Sequence, residues 1–147
     1  MGGDLQTYIH SRLEKGGHKI LLMTHVIVGY PSLDANRKML SYMAAADVDL
    51  VELQMPFSEP VADGPTFVRA NQEALASGLR VDDYFDFVEE AGQLCDFPRL
   101  MMGYYNPVYQ MGHERFCERL RQAGSAGFIL PDLPIEEYDD LFELSEQ

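Results

Sequence analysis

Positive charge is scarce in this chain: 11 lysines and arginines stand against 24 aspartates and glutamates, a formal charge of −13 over 147 residues. A surface of that sign repels polyanions, so neither nucleic acid nor an anionic membrane surface is expected as partner. Long apolar runs are lacking too. The longest, residues 20–28, is interrupted by Thr24 and His25 and falls far short of a bilayer span. Residues 1–8 hold no basic stretch followed by an apolar one, so no secretory signal is read there and a cytoplasmic location is expected. Cysteine is almost absent. Cys95 and Cys117 have no paired spacing, and His10, His18, His25 and His113 are too scattered for a ligand cluster, which argues against a disulfide framework or a metal site.

What is present is enough for one core: 46% of the residues are hydrophobic, and no low-complexity segment or linker divides the chain. A polar helix is predicted over residues 4–15, then a buried strand over residues 20–28 closed by Gly29-Tyr30-Pro31. Ser32 stands where an N-cap belongs, and Leu33, Met39, Leu40 and Met43 recur at helical spacing up to Ala46. A second strand is predicted over residues 49–55, a loop over 56–65, and helices over 67–77 and 81–94 separated by Gly78. A third strand, residues 99–105, leads through Asn106-Pro107 to a helix over 113–123 whose inward stripe is Phe116, Leu120 and Ala123. The fourth strand, residues 127–133, ends at Pro134, and residues 135–147 open one more helix.

Strands alternating with helices imply parallel pairing through right-handed crossovers, hence an α/β sheet or barrel. A dinucleotide-binding sheet needs a glycine-rich cradle after its first strand, and here Pro31 follows Gly29-Tyr30 instead. The expected fold is therefore a (β/α)8 barrel with about its first four βα units present. Residues 1–147 are read as one domain, the N-terminal portion of such a barrel, ending inside the fourth helix.

Alternation along the second strand puts Val51, Leu53 and Met55 against the helices and leaves Glu52 and Gln54 facing the barrel interior. Barrel active sites lie at the C-terminal ends of the strands, where an inward carboxylate stands out among branched apolar residues. Glu52 is thus a candidate catalytic acid, with a structurally paired acid as the alternative. The loop that follows contains Pro56, Pro60 and Pro65, which stiffen it and aim its side chains. Asp63 is either a second functional carboxylate or a turn residue before Gly64.

The stretch Val51-Glu52-Leu53-Gln54-Met55-Pro56-Phe57-Ser58-Glu59-Pro60-Val61-Ala62-Asp63-Gly64-Pro65 closely resembles the signature of tryptophan synthase α subunits. Gly29-Tyr30-Pro31, Gly103-Tyr104-Tyr105-Asn106-Pro107, Pro131-Asp132-Leu133-Pro134 and Glu136-Glu137 extend the resemblance in register from about residue 20 onward. It implies a cofactor-free retro-aldol lyase that splits indole-3-glycerol phosphate into indole and glyceraldehyde 3-phosphate. By position, Glu52 matches the general acid and base acting at indole C3 and the glycerol hydroxyl, and Asp63 the carboxylate facing the indole nitrogen. Cleavage needs both, because one group must protonate carbon while another balances charge on nitrogen. Tyr104 and Asp132 match positions at the mouth, although Tyr104 also reads as an interior aromatic. The resemblance further implies docking on a pyridoxal phosphate-dependent β subunit through Pro56, Glu59 and Pro60 and through Asn106 and Pro107.

Three residues depart from the family pattern. Gln54 replaces a usual glycine, Glu59 a usual aspartate, and His25 places an imidazole in a normally apolar indole pocket, where it is expected to pack without catalytic duty. The strands that bind phosphate in the family are not matched by any residue here, and a half barrel with open sheet edges is expected to self-associate or be marginally stable. The alternatives are a non-catalytic module that binds or modulates a β-type partner, and a different barrel enzyme. The second is disfavoured by the paired carboxylates and by the lack of a strand lysine for Schiff-base chemistry.

Overall fold

Burial alternates along the strands, and that alternation sorts the side chains into layers. The structure is a computed structural model describing residues 5–15, 19–138 and 140–146. Asp4, the predicted start of the first helix, His18 and Gln147 lie outside the described residues. The elements run α1 (Leu5–Lys15), β1 (Met23–Ile27), α2 (Leu33–Ala45), β2 (Leu50–Gln54), α3 (Pro65–Ala76), α4 (Val81–Ala91), β3 (Arg99–Met102), α5 (Tyr105–Met111), α6 (His113–Gln122) and β4 (Gly127–Ile129). A 3₁₀ turn (Ile135–Glu137) and α7 (Leu141–Ser145) follow.

The strands form one parallel sheet in the order β1-β2-β3-β4, each linked to the next through helices. Val26, Val28, Val51, Leu53, Met55 and Met101 turn towards the helices, where Leu40, Tyr84, Phe87, Val88, Phe116 and Leu120 complete a continuous buried cluster. Each such side chain contributes about 1.5–3 kcal/mol by leaving water. Tyr84 enters this layer because its hydroxyl donates to the Leu53 carbonyl at 2.8 Å. The opposite, inner face carries His25 and Ile27 of β1, Glu52 and Gln54 of β2, and Leu100 and Met102 of β3, all in register. The faces of β2 are those read from its alternation. Among the described residues, no helix is long and apolar enough to cross a membrane.

Loops are clasped to helices by buried asparagines. Ser32 caps α2 as predicted, its Oγ accepting from the Ala35 N–H at 3.2 Å. One turn on, Asn36 is fully buried; its Oδ1 accepts from the Gly29 N–H at 2.7 Å and its Nδ2 donates to the Tyr30 carbonyl at 2.8 Å. Gly29 adopts φ +88°, and a Cβ there would sit 3.2 Å from Leu79, so both conformation and space call for glycine.

Several predicted boundaries shift. β1 starts later than residue 20: Ile20 and Leu22 are 81% and 55% exposed and precede the first ladder pair, Met23 with Leu50. Met39 was placed inward but is 37% exposed, while Leu40 beside it on the helix is fully buried. The third strand ends at Met102, because residues 105–111 form α5; Pro107 sits in its first turn, where a missing N–H breaks no helical bond. β4 is shorter than residues 127–133, since Pro131 cannot donate to a ladder. The described residues after Pro134 do not form one helix: the 3₁₀ turn ends at Glu137 and α7 starts at Leu141, preceded by Asp140, whose carboxylate lies 2.6 Å from His113 Nδ1.

Candidate active site

Strands β1 and β2, with helix α3 and the loop before it, deliver polar groups to one place. His25 and Glu52 are cross-strand partners, so their side chains leave the sheet together, and His25 Nδ1 lies 2.9 Å from Glu52 Oε2. The other ring nitrogen, Nε2, lies 2.7 Å from Gln54 Oε1. The imidazole edge also meets the ring of Phe67 on α3 at 5.1 Å between centroids. The His25 and Glu52 side chains keep 23% and 19% exposure, enough for a small molecule to reach them, whereas Gln54 is fully enclosed.

Gln54 carries the network onward. Its Nε2 donates to Asp63 Oδ2 at 2.8 Å and lies 3.5 Å from Asn71 Oδ1. Asn71, fully buried on α3, accepts from the Phe57 N–H at 3.0 Å and donates to the Phe67 carbonyl at 2.8 Å and towards Asp63 at 3.4 Å. Asp63 is therefore held through its side chain as well as lying in a turn. A continuous line runs from Glu52 through His25 and Gln54 to Asp63, joining the two predicted carboxylates by side chains that exchange hydrogen bonds.

Tyr104, at the end of β3, is fully buried beneath this loop. Its ring stacks on Phe57 at 5.3 Å and its hydroxyl oxygen accepts from the Ala62 N–H at 3.1 Å. Burial pushes its phenol up, the Ala62 bond opposes this, and the Asp63 carboxylate adds to the rise. Tyr104 thus supports the loop that carries Asp63. Asp132 is not drawn into the network; it is exposed and accepts from the Tyr105 N–H at 2.8 Å, capping α5 from the loop after β4.

His25, expected to pack without catalytic duty, is held by two hydrogen bonds, to Glu52 and Gln54. Of the predicted docking residues, Glu59 and Asn106 are exposed and Pro107 is half-buried, but Pro56 and Pro60 are buried by the folded loop and offer no free face. Sequence reasoning missed Asn71. Its signal was an asparagine, a poor mid-helix residue, between Ala70 and Ala74 on the buried stripe of α3. Beside His25 a cavity of about 210 Å³ opens, lined mainly by Ile27, Tyr30, Pro31, Phe67 and Ala70. Its walls are mainly apolar, with His25, Tyr30 and Thr66 as the polar residues, and neither Glu52 nor Asp63 lines it.

The family model for the tryptophan synthase alpha chain matches residues 12–147. The chain belongs to the tryptophan synthase alpha chain family. Tryptophan synthase alpha chains from Syntrophotalea carbinolica and Desulfotalea psychrophila are 50% and 48% identical over 136 residues, each match covering 92% of this chain and 53% and 54% of those proteins. The chain thus spans about half the length of the curated relatives it matches. Among solved structures, tryptophan synthase subunit alpha from Legionella pneumophila superposes with a TM-score of 0.88 at 30% identity, over 97% of this chain and 54% of that one. A ligand-free tryptophan synthase from Mycobacterium tuberculosis superposes with a TM-score of 0.87 at 32% identity, over 97% and 56%. The sheet described above is accordingly four βα units of the (β/α)8 barrel of this family. His25, Glu52, Gln54, Asp63, Asn71 and Tyr104 all fall within the matched residues.

Proposed function

We propose that this chain carries the proton-transferring residues of a carbon–carbon lyase that splits indole-3-glycerol phosphate into indole and glyceraldehyde 3-phosphate. The observation that carries the reading is the pair of carboxylates, Glu52 on β2 and Asp63 on the next loop, fixed in one hydrogen-bonded network at the C-terminal end of a parallel sheet. Glu52 protonates indole C3, giving the indolenine. Glu52, left as the carboxylate, then takes the proton of the adjacent glycerol hydroxyl, the C–C bond breaks with its electron pair moving to the ring, and the aldehyde leaves. Asp63 faces the indole N–H and balances the positive charge that develops there.

No group in this sequence of steps needs a cofactor held by this chain. The reading includes a cytoplasmic location and a β-subunit partner carrying pyridoxal phosphate, met through the exposed Glu59 and Asn106 with the half-buried Pro107. The outer edges of β1 and β4 have no strand neighbour among the described residues, and self-association through them belongs to the same reading.

The test is indole release from indole-3-glycerol phosphate by the purified chain, with and without a β subunit, beside Glu52→Gln. Release that disappears in the variant supports the assignment. Release unchanged by Glu52→Gln in a folded chain refutes it, and partner binding without any release would favour a non-catalytic module.

A further inference from the structure

His25 has a hydrogen-bond partner on each ring nitrogen, and the roles of those partners can be deduced from the backbone outward. The Phe57 N–H only donates, so the Asn71 atom 3.0 Å from it is the oxygen; the Phe67 carbonyl only accepts, so the Asn71 atom 2.8 Å from it is the amide nitrogen. Asn71 is thereby fixed in orientation. Its oxygen, at 3.5 Å, and the Asp63 carboxylate, at 2.8 Å, both face one end of the Gln54 amide. Two acceptors there require that end to be the nitrogen, which turns the Gln54 oxygen to His25.

An amide oxygen 2.7 Å from Nε2 places a proton on Nε2. Nδ1 then faces Glu52 Oε2 at 2.9 Å, and one proton lies between them, on the imidazole or on the acid. The contact occupies Oε2, and among the described residues Oε1 has no hydrogen-bond partner, which leaves it to meet a substrate. The groups facing His25 are Glu52 and Gln54 from β2 and Phe67 from α3, and of these Glu52 is the ionisable one.

We propose that His25 is a positioning residue for Glu52, locked in the Nε2-protonated tautomer by the Asn71 and Gln54 amides and joined to the carboxylate by one shared proton. The role rests on the lyase reading of Glu52; the proton arrangement does not. Gln54 and His25, which depart from the family pattern, thus work as a matched pair. Gln54 also links Asp63 to the same assembly, so displacing either carboxylate disturbs the other.

The test is solution NMR of the chain with ¹⁵N-labelled histidine and ¹³C-labelled glutamate, His25 and Glu52 being assigned by loss of signal in His25→Leu and Glu52→Gln. Couplings from the ring-carbon protons identify the protonated nitrogen. The expected result is a protonated Nε2, with the Glu52 carboxyl-carbon signal displaced when His25 is replaced by leucine. Gln54→Leu, in a chain whose amide spectrum stays dispersed, is expected to admit both tautomers. An unprotonated Nε2 in the unsubstituted chain, a Glu52 carboxyl signal unmoved by His25→Leu, or a tautomer indifferent to Gln54→Leu would each overturn the proposal. The expected spectra from a chain that releases no indole count for the proton arrangement and against the lyase reading.

Discussion

Replacing Asn71 with leucine keeps the size of a fully buried side chain while removing every polar contact it makes. The Phe57 N–H, which donates to Asn71 at 3.0 Å, is then left without that acceptor in a partly buried position, a loss of about 1–3 kcal/mol. The Phe67 carbonyl loses the 2.8 Å side-chain bond but keeps its place in the helical ladder, so its share is small. The contact to Asp63 at 3.4 Å is long and adds little despite its charge. The sum is about 1–3 kcal/mol, equivalent to a fall in Tm of about 3–10 °C for a domain of this size. Circular dichroism during urea and thermal unfolding reads both quantities. A loss below about 0.5 kcal/mol would refute the argument that Asn71 clasps the loop to α3.

Phe116→Ala should cost about 3–5 kcal/mol in urea unfolding, because Phe116 is fully buried and packs edge-to-face on Phe128 at 5.6 Å; a loss under about 1 kcal/mol would count against a tightly packed helix layer. Tyr84→Phe should cost about 1–2 kcal/mol, since it deletes the bond to the Leu53 carbonyl without changing volume, and an unchanged midpoint would mean that carbonyl is satisfied elsewhere. The Arg37 guanidinium grips Glu90 at 2.6 and 2.9 Å and holds its carboxyl below the ordinary value of 4.5. A depressed carboxyl stabilises the fold above its unfolded value, and that contribution fades as pH falls through the folded one. Glu90→Gln should therefore cost about 0.5 kcal/mol in physiological salt at neutral pH and nothing in strong acid; an equal cost at both would reject the ion-pair account. Burial pushes the thiols of Cys95 and Cys117 up, so a thiol reagent should label neither in the folded chain at mildly alkaline pH and both in urea.

The layers of the fold were legible because strand alternation is a local signal. The residues of β2 sort onto the predicted faces, and Glu52 lies where its neighbours in sequence place it. Strand ends were less legible, since a ladder stops where its partner stops, as residues 20–22 illustrate. α5 was hidden by Pro107, which reads as a breaker unless the helix start is known. The tie between His25 and Glu52 depends on the register of β1 against β2, which nothing in residues 25 and 52 themselves encodes. Asn71 could be noticed on its helix face, but its duty was illegible for a related reason: its partners, the Phe57 N–H and Phe67 carbonyl, are backbone groups that every residue has. Family resemblance located the carboxylates. It could not assign a duty to side chains that depart from the family.

The order of the sheet has a consequence for how the chain is made. Each strand lies beside the one that precedes it in sequence, so as the chain leaves the ribosome a new strand always finds its neighbour already synthesised. At about 5–20 residues per second, each βα unit has seconds to dock before the next arrives, far longer than helix formation or hydrophobic collapse requires. The growing sheet then presents a single fresh edge at a time, and that edge is the docking site for the next strand of the same molecule.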